Sequence, residues 1–127
     1  EVESVIREIT RLGGTVTRNP ATDLLTINGE FTASVAVARC RETSTGSLRW
    51  KIRFDTSLVP DITIAIRMDR TNTAALDYYL LPQFEMRTKP LGLAEENGLM
   101  LDAFRFETLD FFFDMARRVP VAEVTPW

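Results

Sequence analysis

Asn28-Gly29 is the dipeptide that most restricts what this chain can form. Both residue types accept the positive φ of a type I′ turn, so the pair closes an antiparallel hairpin between residues 23–27 and the run beginning at Phe31. A two-residue turn sets Ile27 opposite Glu30, Leu25 opposite Thr32 and Asp23 opposite Ser34. Side chains alternate along a strand. The second strand therefore carries Ser34, Ala36, Ala38 and Cys40 on one face and Phe31, Val35, Val37 and Arg39 on the other.

Residues 39–54 read as two further strands around a turn containing Gly46, and they hold five of the fifteen Lys/Arg residues. Arg49, Lys51 and Arg53 alternate there with Leu48, Trp50, Ile52 and Phe54. Period-2 geometry puts the cations on one face and the large apolar groups on the other. For Ile52 and Phe54 to share a core with Val35 and Val37, the three cations must lie across from Cys40, Ala38 and Ala36.

Elsewhere Val2, Val5, Ile6, Ile9 and Leu12 recur at helical spacing before Gly13-Gly14, which predicts an amphipathic helix. Residues 15–18 are expected to be extended, with a turn at Asn19-Pro20. Residues 61–68 alternate as a half-buried strand, and residues 76–81 form a sixth strand ending at Pro82. A loop is expected over 83–92 and a helical turn over 93–97. Thr108 as N-cap, with Arg117 and Arg118 near the other end, predicts a closing helix over 108–118.

The length of 127 residues fits one domain, taken as 1–127, and the start at Glu1 is read as that of a piece excised from a larger protein. The chain has no His and one Cys. Ser-His-Asp and Cys-His catalysis therefore lack their base, and zinc lacks its usual ligand set. Cys40 without a disulfide partner points to a reducing, cytoplasmic setting. No apolar run approaches the ~18 residues that a membrane span needs. Net charge is −3, yet residues 1–54 hold eight Lys/Arg against six Asp/Glu, while residues 55–127 hold seven against twelve. Any contact with a polyanion is thus local rather than domain-wide.

Three constellations follow. Arg39, Arg41, Arg49, Lys51 and Arg53 form a candidate DNA- or RNA-binding surface through phosphates, with Trp50 stacking on a base if its ring is exposed; the bland alternative is a solvated sheet face with Trp50 inward. Asp23, Ser34 and Asp55 fall in one lateral row near Lys51, the raw material of a Mg²⁺-dependent phosphodiester hydrolase, although strand-end aspartates more often cap turns. Phe111, Phe112 and Phe113 exceed one narrow helical stripe, so the last helix offers an interface to the parent protein, a protein partner or a second copy in a homodimer. Cys40 lacks a base and reads as a small buried hydrophobe.

An N-terminal helix, the turn Asn19-Pro20-Ala21-Thr22-Asp23, consecutive antiparallel strands and a closing helix resemble the PD-(D/E)XK restriction-endonuclease-like fold over residues 1–82. The resemblance implies Asp23 as the first acid. The acid-x-Lys element expected on the next strand is missing: residues 35–41 hold neither acid nor lysine, and Lys51 follows Arg49 rather than an acid. A second alignment through Pro60-Asp61 reaches Asp77-Tyr78-Tyr79 and also lacks the lysine. The resemblance thus implies a divergent, non-catalytic member of bacterial origin.

The expectation is an α+β domain with a mostly antiparallel sheet of five or six strands and both terminal helices on one face. It serves as a non-catalytic nucleic-acid-associated module of a larger DNA-processing protein and needs no cofactor. The competing readings are a nuclease using Asp23, Asp55 and Lys51 with Mg²⁺, and a protein-interaction or oligomerisation domain.

Overall fold

The computed structural model describes residues 2–83 and 89–107. Helix α1 (Val2–Arg11) buries Val5 and Ile9. It ends where the sequence stops it. Gly13 adopts φ +96°, its N–H donates to the Thr10 carbonyl at 3.0 Å, and the Gly14 N–H reaches back to the Ile9 carbonyl at 2.9 Å. These two bonds satisfy orphaned carbonyls of the last turn, and glycine supplies the left-handed residue without a Cβ penalty.

Strands β1 (Val16–Arg18), β2 (Leu25–Ile27) and β3 (Phe31–Ala38) form the expected antiparallel meander. The turn at Asn28 (φ 55°) and Gly29 (φ 65°) has the anticipated left-handed residues, and the Glu30 N–H closes it on the Ile27 carbonyl at 3.0 Å. The register differs by one residue. Ile27 faces Phe31 and Leu25 faces Ala33, so Glu30 belongs to a three-residue loop and Leu25, Ile27, Phe31 and Ala33 bury together. A three-residue loop with a positive-φ residue is the next commonest hairpin connection, and the apolar match selects it.

From β3 the chain does not return beside itself. It crosses through β4 (Arg41–Glu42) and β5 (Leu48–Ile52) to β6 (Ile62–Met68), which lies parallel to β3 with Ala33 opposite Ile62 and Ala38 opposite Arg67. Strand β7 (Ala75–Pro82) returns antiparallel, and the short β9 (Arg105–Phe106) closes the order β1-β2-β3-β6-β7-β9. The architecture is α+β, with a six-stranded, mostly antiparallel sheet. At the start of β6 the Asp61 carboxylate accepts from the Thr32 N–H at 2.8 Å while the Asp61 N–H donates to the Thr32 hydroxyl at 3.1 Å, a clasp that holds the parallel pair in register.

The second layer overturns the expected partner of β5. Strand β5 joins β4 and β8 (Leu91–Leu93) in a separate three-stranded sheet. Trp50, Ile52, Leu91 and Leu93 then bury against Ala38, Ala65, Tyr79 and Leu81, with Ala36 and Cys40 packed beside them. Val35 and Val37 instead pack toward α1. The alanines on the even face of β3 leave room for a covering layer, and apolar burial worth about 1.5–3 kcal/mol per large side chain draws β5 onto it. Strand β6 is consequently buried along its whole length rather than half-buried. Strand β8 begins inside the expected loop, and the helical turn α2 (Leu99–Asp102) follows Gly98 rather than preceding it. The expected helix over 108–118, with Phe111, Phe112 and Phe113, lies outside the described residues. Among the described residues, no helix is long and apolar enough to cross a membrane.

Candidate nucleic-acid interface

Strand β3 is longer than the partner on its outer side. Strand β2 pairs with Phe31, Thr32 and Ala33 alone, so on that side the ladder stops where the other edge of β3 continues along β6 to Ala38. The notch collects chemistry from three segments. A cavity of about 220 Å³ there is lined by Asp23, Ser34, Ala36, Arg53 and Asp55 among others. A neighbouring cleft of about 250 Å³ is lined by Val37, Arg39, Arg41, Lys51 and Arg53. Arg53 borders both.

The basic cleft follows from the β4–β5 register. Arg41 pairs directly with Arg49 and Glu42 with Leu48, one residue displaced from the expected alignment. Arg41, Arg49, Lys51 and Arg53 are all exposed, and among the described residues none of these four forms an ion pair. Arg41 and Arg49 are like charges directly opposite one another, an arrangement that destabilises a strand pair. Gly92 lies opposite Lys51 on the other side of β5, so that neighbour adds no bulk over the cation.

Trp50 takes the inward position. It is 2% exposed, its indole N–H donates to the Met68 carbonyl at 2.8 Å, and the Arg67 guanidinium stacks over its ring at 4.6 Å. The ring has no free face for a base. Trp50 therefore leaves the set of expected contact residues, because strand alternation, the indole hydrogen bond and the cation all hold it inside.

The two aspartates meet in the notch by a route other than the expected lateral row. Asp23 sits at φ 61° in the turn before β2, where its N–H donates to the Asn19 carbonyl at 2.8 Å. Its carboxylate accepts from Arg18 Nε at 2.8 Å, and that bond raises the Arg18 pKa above its usual range. Asp55 accepts from the Ser57 hydroxyl at 2.5 Å and the Ser57 N–H at 3.0 Å. The hydroxyl bond first, then the amide bond, hold its pKa below the ordinary 3.8. Both groups thus perform the turn and pairing roles that strand-end aspartates usually perform. Lys51 lines the cationic cleft and not the cavity that holds the aspartates. No group of three His, Cys, Asp or Glu side chains able to hold a metal occurs among the described residues.

Beneath the hairpin lies a buried charge cluster that the residue pattern alone did not announce. Asp77, fully buried, accepts from Arg67 at 2.8 and 2.6 Å and from Arg105 at 2.7 Å. Arg67 also donates to the Ala94 carbonyl at 2.7 Å. The available signal was an arginine and an aspartate in successive strands, each flanked by large apolar residues.

No protein-family model matches this chain, and no curated protein matches it. Among solved structures it is similar to the bacterial homing endonuclease I-Ssp6803I, with 14% identity over 92% of this chain and 86% of that one, and a TM-score of 0.56. At that identity the likeness establishes a shared fold.

Proposed function

We propose that this chain is a non-catalytic nucleic-acid-associated module that contacts phosphates through Arg39, Arg41, Arg49, Lys51 and Arg53. The observation that carries the reading is the Arg41–Arg49 pair beside a cleft lined by Arg41 itself and by Arg39, Lys51 and Arg53. An anion between opposed guanidiniums turns their mutual repulsion into attraction, and arginine's planar fork suits phosphate oxygens. The fold shared with a homing endonuclease supports nucleic acid as the source of that phosphate. With Trp50 inside, binding through backbone phosphates outweighs base stacking, and affinity depends steeply on salt.

We read the chain further as a divergent PD-(D/E)XK-type domain of a larger bacterial, cytoplasmic DNA-processing protein. Support comes from the order helix, three-stranded meander, crossover and parallel strand, with Asp23 just ahead of β2. Ser34 and Ala36 face the notch from β3, where a nuclease of this type would carry its acid and lysine. One observation favours the competing nuclease reading, namely that Asp23 and Asp55 share a cavity.

The test is titration against labelled duplex and single-stranded DNA and RNA at low and moderate salt, followed by incubation with Mg²⁺ or Mn²⁺. Saturable, salt-sensitive binding with the substrate left intact supports the module. Absent or salt-independent binding rejects it. Metal-dependent cleavage that disappears in Asp23→Ala replaces it with the nuclease.

A further inference from the structure

We infer that Asn72, in the turn between β6 and β7, is a positioning residue for the cationic cleft; this inference rests on the phosphate-binding reading above. Strand β3 ends at Ala38 and β4 begins at Arg41, so the chain changes sheets across Arg39 and Cys40. A joint of this kind lacks a ladder partner for its backbone. Asn72 supplies one. Its side-chain oxygen accepts from the Cys40 N–H at 2.6 Å, and its amide nitrogen donates to the Cys40 carbonyl at 3.2 Å. The carboxamide thus satisfies both backbone groups of the residue between Arg39 and Arg41, as a neighbouring strand would.

The turn that presents Asn72 is itself braced. Asn72 adopts φ 58°, which asparagine tolerates better than most residues, and its N–H donates to the Asp69 carbonyl at 2.9 Å. The Asp69 carboxylate accepts from the Thr73 N–H and the Thr71 hydroxyl, each at 3.0 Å. Arg70, from the same turn, reaches Glu42 of β4 at 3.4 Å on the exposed surface. Arg39 and Arg41 both line the cleft. Fixing Cys40 between them fixes the direction in which each leaves the backbone, so the two cations meet a phosphate without first being ordered.

Asn72→Gly keeps a residue that accepts φ 58° and removes the carboxamide. The expected result is a folded protein with faster amide hydrogen exchange at Cys40, duplex-DNA affinity lowered by about tenfold, and a shallower salt slope. Placing Asn72→Gly in an Arg39→Ala/Arg41→Ala background should cost no further affinity, because positioning has no effect once the positioned groups are gone. Wild-type affinity in the single variant, or an equal further loss in the triple variant, overturns the positioning role while leaving the phosphate-binding reading intact. A wild-type chain that binds no nucleic acid removes that reading and this role with it. Should Asn72→Gly fail to fold, Asn72→Asp keeps the left-handed turn and the acceptor for the Cys40 N–H but loses the donor to the Cys40 carbonyl; unchanged duplex-DNA affinity in that variant also overturns the inference.

Discussion

Arg67 and Asp77 form a two-pronged ion pair in the centre of the molecule, with contacts of 2.8 and 2.6 Å and exposures of 4% and 0%. They sit opposite one another on β6 and β7. The Arg67 guanidinium is also the plane on which Trp50 rests at 4.6 Å, so the charge pair supports the β5 strand whose other face carries Arg49 and Lys51, with Arg53 just beyond its end. A rigid interior charge thereby underlies a solvent-facing one.

Asp77→Ala should destabilise the fold by about 3–5 kcal/mol, since removing one partner leaves a buried guanidinium without its counter-charge. Urea unfolding followed by far-UV circular dichroism measures the loss. A change within about 0.5 kcal/mol, the range of ordinary surface substitutions, would contradict the burial of the pair.

Trp50→Phe removes the indole donor and leaves the Met68 carbonyl without that bond. The expected cost is about 1–3 kcal/mol, the penalty for an unsatisfied buried polar group. Nucleic-acid affinity of the folded variant should match wild type. A selective loss of affinity with stability unchanged would return Trp50 to the binding surface.

Gly13→Ala should lower stability by roughly 1 kcal/mol, because an L side chain is strained at φ +96° even though the space around the position is open. Thermal unfolding reads it as a drop in Tm of a few degrees. No drop would mean that α1 ends in another way.

The pH dependence has two limbs. Hydrogen bonds from the Thr73 N–H to Asp69 and from the Ser57 hydroxyl to Asp55 depress both carboxyl pKa values below 3.8. Their contribution is present above the unfolded value of 3.8 and is lost as pH falls through the lower folded values. Burial raises the pKa of Tyr79 above 10.0, so its contribution is present below 10.0 and is lost as pH rises through the folded value. Unfolding midpoints against pH should therefore form a plateau between these limits, and Asp69→Asn should flatten the acid limb.

Much of the fold was legible because it depended on local pattern. Helix α1 with its Gly13 stop, the Asn28-Gly29 turn, β6, β7 and the alternation of cations with Trp50 and Ile52 all follow from periodicity and turn chemistry. What escaped was long-range. Both hairpins use odd-length connections, so Leu25 faces Ala33 and Arg41 faces Arg49, each one residue from a two-residue-turn alignment. Parallel pairing of β3 with β6, 29 residues apart at Ala33 and Ile62, leaves no local mark. Asp23 and Asp55 line one cavity in the notch beside β3, not a row across adjacent strands. The reach of Asn72 to Cys40 leaves no mark in the sequence, because it depends on the placement of a distant strand end.

On the proposed function, exposed cations of the β4–β5 hairpin bind nucleic-acid phosphates. The most direct test compares duplex-DNA affinity of the wild-type chain and of Arg49→Ala/Lys51→Ala/Arg53→Ala across a range of salt concentrations. Each lost phosphate contact should reduce the slope of log affinity against log salt by about 0.9. Phosphate binding by these cations predicts a steep slope in the wild type and a slope shallower by about two to three in the variant, with Tm no lower than that of the wild type. Equal slopes and equal affinities in the two proteins, or no binding by either, would contradict it.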